Sequence, residues 1–256
     1  MSSIPQTLGR KLAAASFLLR SGVPPRVLWR LAHDLRRASR PSERSRSAQQ
    51  RLAESLHDAR FTQTWFLRNV PTWLSILEVR DLLGRTGLRI LEIGSWEGLS
   101  CRFVLEHLPG SVVTCVDTWA GADEHVTQSG TKAAELAELE ARFDHNTRGY
   151  GDRVRKWKGK SQQYFAACEP RECFDLVYVD GSHRADDVLL DAIHGFAALA
   201  PGGVMIFDDY LWKYYDEPRD NPGAGINAFL RLKRGRYDLL HAAWQVAIAK
   251  SRRATP

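Results

Sequence analysis

The stretch Ile90-Leu91-Glu92-Ile93-Gly94-Ser95-Trp96-Glu97-Gly98 is an apolar run that ends in an acid and then turns through G-x-x-x-G. A glycine turn between a buried strand and a helix lets a ligand lie against bare backbone, at the positive end of the helix dipole. The stretch therefore predicts a cofactor corner. A dinucleotide would need G-x-G-x-x-G, so that its pyrophosphate could sit on the helix N-terminus. Here Gly94 is followed by Ser95 and Trp96, and Glu92 places a carboxylate where a pyrophosphate would be repelled. A cationic ligand fits better.

Outward from this corner, short β-rich runs alternate with helix-like segments. The runs are Leu88 to Ile93, Val112 to Val116, Arg153 to Lys158, Leu176 to Val179 and Gly203 to Phe207, with Trp244 to Ala249 closing the series. Leu99 to His107, Lys132 to Phe143 and Arg184 to Leu199 read as helices between them. This alternation predicts a doubly wound, Rossmann-like α/β sheet whose ligands bind at the carboxyl ends of the strands. The chemistry-bearing residues fall at those ends: Glu92 and Gly94, then Asp117, then Gly159-Lys160-Ser161-Gln162, then Asp180-Gly181-Ser182-His183, then Asp208-Asp209. An acid such as Asp117 can accept two hydrogen bonds from a ribose diol.

Taken in order, E-x-G-x-x-x-G at Glu92 to Gly98, Asp117, G-x-S at Gly159 to Ser161, V-D-G-S-H at Val179 to His183 and P-G-G-x-x-x-x-D-D at Pro201 to Asp209 resemble the class I S-adenosylmethionine-dependent methyltransferases. Within that family they resemble the metal-dependent O-methyltransferases of the catechol and macrolide-sugar types, over roughly residues 61 to 250. The resemblance implies a seven-stranded sheet, with the glycine turn on the methionine moiety, Asp117 on the ribose and Ser161 with Gln162 on the adenine. The residues expected at the cofactor are Glu92, Gly94, Ser95, Trp96, Gly98, Asp117, Thr118, Ser161, Gln162 and Asp180. A carboxylate beside a sulfonium and an amine is favourable, which makes Glu92 a partner instead of an obstacle. The alternative for Glu92 is a strand-end acid bonded to backbone. Trp96 and Trp119 either wall the adenosyl pocket or simply pack.

Asp180, Asp208 and Asp209 should converge where the fourth and fifth strands lie side by side, and converging carboxylates repel unless a cation or protons intervene. Oxygen ligands select a hard ion, Mg²⁺ or else Ca²⁺ or Mn²⁺. The resemblance implies Mg²⁺ on these three acids, although the catechol type has asparagine where this chain has Asp209. The competing reading makes Asp208-Asp209 a turn cap. His183 follows a strand end and has a pKa near working pH, so it is expected to take a hydroxyl proton, with Asp180 as its catalytic partner and Asp180 or Lys160 in reserve as base. The loop Tyr210 to Pro218 is aromatic and either clamps the acceptor or packs.

The 256 residues suffice for one large domain with an appendage, and 44% hydrophobic with 26% charged residues is ordinary for a globular chain. The net charge of +6 is uneven, because residues 1 to 60 hold 12 Arg or Lys against 4 Asp or Glu. This predicts a basic helical N-terminal arm over 1–60 and the catalytic domain over 61–256. The arm breaks at Pro24-Pro25 and carries a polar linker from Arg40 to Ser47, with helix resuming over residues 48 to 60. Trp29 and the run Leu12 to Leu19 allow an amphipathic helix that docks on the main domain, on a second copy in a homo-oligomer or on a membrane surface. Arg10-Lys11 before that run resembles a signal peptide only superficially, since the run is short and no cleavage pattern comes after it. Four cysteines without C-x-x-C or zinc spacing predict a reducing cytoplasm.

The function expected is methyl transfer from S-adenosylmethionine to a hydroxyl or carboxyl of a small acceptor, in specialised or sugar metabolism, with a divalent metal. Two rivals remain: an RNA ribose methyltransferase gripping phosphate with the basic arm, and a non-catalytic assembly protein of the same fold. The acceptor depends on the arm, the aromatic loop and the segment Gly121 to Gly130.

Overall fold

The computed structural model describes residues 16–17, 19–38, 42–122 and 133–252. Among them seven strands form one sheet: β1 (Arg89–Ile93), β2 (Val112–Asp117), β3 (Val154–Lys158), β4 (Phe174–Val179), β5 (Leu199–Phe207), β6 (Tyr237–Ala242) and β7 (Val246–Lys250). Their order is β3-β2-β1-β4-β5-β7-β6. The first five pair in parallel, and β7 runs antiparallel to both β5 and β6. The predicted doubly wound sheet is therefore present, and the chain order reverses between β1 and β4. In an open α/β sheet the ligand crevice lies at such a reversal, beyond the strand carboxyl ends.

Both faces of the sheet are covered, which is why β1 and β4 read as nearly continuous apolar runs. One face receives α3 (Val70–Val79), α4 (Leu99–His107) and α6 (Leu139–Thr147), the last preceded by the short α5 (Ala133–Ala137). Trp73, Leu77, Phe103 and Phe143 pack there against Ile90, Cys115 and Tyr178. On the other face lie α7 (Ser161–Cys168), α8 (Ala185–Ala198) and α9 (Pro222–Leu232), whose Phe165, Ala192, Phe196 and Phe229 meet Leu91, Ile93, Val177 and Phe207. Phe66 and Trp73, from the apolar segments that precede β1, are buried in this core.

The arm contains α1 (Pro25–Ala38), which begins at the expected Pro24-Pro25 break, and α2 (Glu43–Glu54). α1 docks on the main domain, one of the three placements foreseen, where it covers the edge strand β6. Asp34 is buried and accepts from the Ala242 amide at 3.0 Å and from Arg30 Nε at 2.6 Å. Arg30 also bonds the Leu240 carbonyl, and Arg26 bonds the Tyr237 hydroxyl. Covering an edge in this way satisfies backbone groups that would otherwise template aggregation. The expected linker from Arg40 to Ser47 is corrected from residue 43 onward. Ser42 caps α2 through the Ser45 amide, Glu43 sits at the positive helix end, and Ala48 and Leu52 bury one stripe. That helix ends at Glu54, short of the expected residue 60.

β6 is absent from the expected strand series, and Trp244, expected to open the last strand, lies in the turn before β7. Most of Leu12 to Leu19 and all of Gly121 to Gly130 beyond Ala122 lie outside the described residues. No helix among the described residues is long and apolar enough to cross a membrane. All four cysteines are free.

Candidate active site

A cavity of about 770 Å³ opens at the carboxyl ends of β1, β2, β3, β4 and β5. The turn from Gly94 to Glu97 forms its floor, and Asp117, Thr118, Ser161, Gln162, Asp180, His183, Asp208 and Asp209 line it. Gly94 adopts φ +86° and Gly98, immediately before α4, φ +85°, which only glycine enters without strain. A Cβ on Gly94 would fall 2.0 Å from the Asp180 carbonyl oxygen, so the turn lies directly against the end of β4. Between the glycines Trp96 is itself left-handed, at φ +48°.

Asp117 fixes that backbone. Its Oδ2 accepts from the Ser95 amide at 2.8 Å and the Trp96 amide at 2.9 Å, while Oδ1 accepts from the Trp119 amide at 2.7 Å. A carboxylate has about four acceptor sites, so Oδ1 retains capacity for a ligand hydroxyl. Burial pushes the Asp117 carboxyl up despite these donors. Trp119 donates from its indole to the Trp96 carbonyl at 3.0 Å and is buried, so this ring packs beneath the turn. Trp96 instead reaches the cavity, with the Trp65 ring 5.7 Å away.

Glu92 does not line the cavity. The alternation of β1 turns its side chain, like that of Ile90, toward α4, where the carboxyl accepts from Ser100 Oγ and lies 3.5 Å from Cys115 Sγ. Burial pushes it up to about 7. The expectation that Glu92 faces the cofactor is therefore corrected: it underlies the turn. Ser161 and Gln162 open α7 at the opposite end of the cavity. Ser161 Oγ donates to Asp191 Oδ1 at 2.5 Å, and Asp191, which lines the cavity from α8, is pushed up to about 7 by burial.

The acids divide in an unforeseen way. One oxygen each of Asp180 and Asp209 and a ring nitrogen of His183 lie within 4.8 Å of one another. His183 Nε2 is 2.8 Å from Asp209 Oδ2, and its ring stacks on Trp212 at 4.5 Å. Asp208, expected beside them as a metal ligand, borders the cavity but is not part of this cluster, because protein donors take up its carboxyl. Its Oδ2 accepts from Asn69 Nδ2 at 2.8 Å, from Gln245 Nε2 at 3.0 Å and from the Tyr178 hydroxyl, and its Oδ1 accepts from the Asp209 amide at 2.7 Å. Neighbouring residues on an extended chain point to opposite sides, and here the left-handed Asp209, at φ +52°, completes the separation. Burial and the charges of Asp208 and Asp209 push Asp180 well up, and burial with the Asp209 charge raises Asp208.

Two carboxylates and an imidazole nitrogen converging on one point suit a divalent cation, with oxygen ligands favouring a hard one. The tautomer in which Nε2–H donates to Asp209 leaves Nδ1 as the basic nitrogen of His183. In the aromatic loop Trp212 and Tyr215 line the cavity, and Tyr214 stacks on Trp212 at 5.4 Å, so the loop forms a wall on the acid side. Glu97, Asp191, Asn69 and Gln245 were not foreseen, because their partners lie far away in sequence, and neither was the bond from Tyr178 to Asp208, 30 positions away.

A glycine turn at the sheet reversal, an acid bracing it from β2 and acids after β4 and β5 define a ligand cavity of the α/β class. Residues 91–210 match the model of a family described as a methyltransferase domain. Over that span, just under half of its length, the chain carries a methyltransferase domain, and the protein is an S-adenosylmethionine-dependent methyltransferase. Similar solved structures include the MycE methyltransferase of mycinamycin biosynthesis with Mg and S-adenosylhomocysteine, at 17% identity and TM-score 0.52 over 85% of this chain and 55% of that one. The same enzyme with mycinamycin VI also bound is similar at 19% identity and TM-score 0.50, over 84% and 56%. An O-methyltransferase from Bacillus cereus in complex with S-adenosylhomocysteine aligns at 17% identity and TM-score 0.47, over 88% and 100%. At these identities the likeness concerns the fold. No curated protein matches the chain in sequence.

Proposed function

We propose that the protein transfers a methyl group to a hydroxyl oxygen of a small acceptor in specialised or sugar metabolism, a carboxyl being the alternative nucleophile. The observation that carries this is the placement of Asp180, His183 and Asp209 in one cavity with the glycine turn, about which a cofactor and an acceptor would meet. In this reading Gly94, Ser95, Trp96 and Gly98 receive the methionine end, Asp117 and Thr118 the ribose, and Ser161 and Gln162 the adenine. Asp180 and Asp209 would hold a divalent cation, Mg²⁺ by preference, with Asp208 bonded to the Asp209 amide. When bound, the cation neutralises charge on the acceptor oxygens.

His183 accepts the hydroxyl proton at Nδ1 while Asp209 steadies Nε2–H, the oxygen attacks the methyl carbon, and the sulfonium leaves as neutral S-adenosylhomocysteine. Trp212 and Tyr215 flank the acceptor and restrict its approach. MycE, whose structure holds Mg, S-adenosylhomocysteine and mycinamycin VI, lends support as a protein of like fold. An RNA substrate is less well supported, since Arg26 and Arg30 of the basic arm are engaged with β6. Calorimetry with S-adenosylhomocysteine, followed by a mass-spectrometric screen for one added methyl across phenol, sugar, polyketide and carboxylate acceptors, tests the proposal. Methylation of nitrogen acceptors alone would overturn it.

A further inference from the structure

Glu97 has no part in the chemistry above, yet three segments meet on its carboxylate. It is buried within the glycine turn. Its Oε2 accepts from the Thr62 amide at 2.7 Å and the Gln63 amide at 3.3 Å, and its Oε1 accepts from Thr62 Oγ1 at 2.8 Å and Arg142 Nε at 2.5 Å. Arg142, from α6, also bonds the Glu135 carbonyl of α5. Beside this cluster Asn146 accepts from the Arg60 amide at 2.7 Å and donates to the carbonyls of Arg60 and Glu97 at 3.0 and 2.9 Å. Residues 60–63 are thus laced to the turn along their backbone.

What those residues carry gives the lacing a consequence. Phe61, Gln63, Trp65 and Phe66 form cavity wall facing Gly94 to Glu97. The turn and this strap are therefore two jaws of one cleft, and Glu97 is the hinge pin between them. A buried carboxylate is tolerated only when fully hydrogen-bonded and charge-paired, and these four donors meet that condition. If the strap lifted, Glu97 would lose three of them and face Arg142 alone. The closed jaw is accordingly stabilised by charge-assisted bonds, each worth more than a neutral one.

We infer that Glu97 is a positioning residue that sets cofactor affinity by holding residues 60–63 closed against the glycine turn. This rests on the reading of the cavity as the S-adenosylmethionine site. The test compares S-adenosylhomocysteine binding by the parent, Glu97→Gln and Thr62→Val, using calorimetry and amide hydrogen exchange. Glu97→Gln presents an amide to the Thr62 and Gln63 N–H groups and should weaken binding about tenfold or more, with faster exchange at both amides. Thr62→Val removes one donor and should weaken binding in the same direction by a smaller factor.

A purely structural role predicts a lower melting temperature with unchanged affinity in the folded variants, and that result overturns the inference. Should Glu97→Gln not fold, Thr62→Val decides: affinity equal to the parent's overturns the proposal. A parent that binds no S-adenosylhomocysteine overturns the site reading itself, and the inference with it.

Discussion

The Tyr178 hydroxyl stands between two acids, 2.9 Å from Asp180 Oδ2 and hydrogen-bonded to Asp208 Oδ2. A phenol has one proton and cannot donate fully to both, so a second proton or a cation completes the arrangement. Burial and these two charges push the phenol itself well up, so it remains a donor throughout the accessible pH range. Tyr178→Phe removes the donor and leaves the carboxylates facing an apolar ring. Urea denaturation should show a loss of about 1–3 kcal/mol. Added Mg²⁺ should restore more stability in this variant than in the parent; equal restoration would detach Tyr178 from the acid site.

His183→Ala should lower turnover by about 10²- to 10⁴-fold while S-adenosylhomocysteine still binds. Steady-state kinetics on the acceptor found by the methyl screen, paired with calorimetry, reads both quantities. Turnover matching the parent's would remove His183 as the base.

Chelation should abolish turnover, and Mg²⁺ should restore it. Asp209→Asn should lose both the metal response and the negative charge that steadies His183 Nε2–H, so its residual rate should no longer respond to chelator. A parent indifferent to chelator would leave Asp180 and Asp209 without a cation to hold.

Glu92 has its carboxyl raised from the usual 4.5 to about 7 in the folded chain by burial. A raised acid binds its proton more tightly folded than unfolded, so it lowers stability as pH climbs above 4.5, with the full effect above 7. The shift corresponds to about 3 kcal/mol at alkaline pH. Glu92→Gln should therefore be more stable than the parent at pH 8 and close to it at pH 4.5. Denaturation midpoints at the two pH values measure this, and a difference independent of pH would refute it.

Asp34 behaves in the opposite sense. Burial alone would raise its carboxyl, but hydrogen bonds from His241, His33, Arg30 and the Ala242 amide hold it well below the usual range. Its contribution is present above the unfolded carboxylate pKa and is lost as pH falls through the folded one. Asp34→Ala leaves the Ala242 amide without its partner and should cost about 1–3 kcal/mol. Limited trypsin digestion should then cut α1 at Arg30 or Arg36 well before the main domain, with S-adenosylhomocysteine binding retained.

Strand ends were legible because a central parallel strand must be apolar on both faces, and a polar residue closing such a run stands out. β6 escaped notice because Tyr237-Asp238-Leu239-Leu240-His241-Ala242 lies at the edge under α1 and lacks that signature. The linker reading gave weight to the Arg and Ser content of residues 40–47, when the decisive signal was Ser42 followed by Glu43. Which acid of Asp208-Asp209 joins Asp180 and His183 depends on one backbone angle, to which composition is blind. Glu92 follows the same logic, since its strand could have presented either face to the ligand. Glu97 was invisible for another reason: its partners are 35 and 45 positions away.

The clearance at Gly94 couples the two halves of the reaction. Its missing Cβ would also lie 2.7 Å from Gly181 Cα, and the Asp180 amide donates to the Ile93 carbonyl at 2.8 Å. Any side chain at this position would spread β1 from β4, displacing together the proposed seat of the donor and Asp180, a proposed cation ligand. Gly94 variants therefore cannot serve as cofactor-dead controls, because a lost methyl transfer in them would have two causes at once. Under the proposed assignment, replacements on the α7 side of the cavity, at Ser161 or Gln162, would separate donor binding from acceptor chemistry and are the cleaner genetic handle on this enzyme.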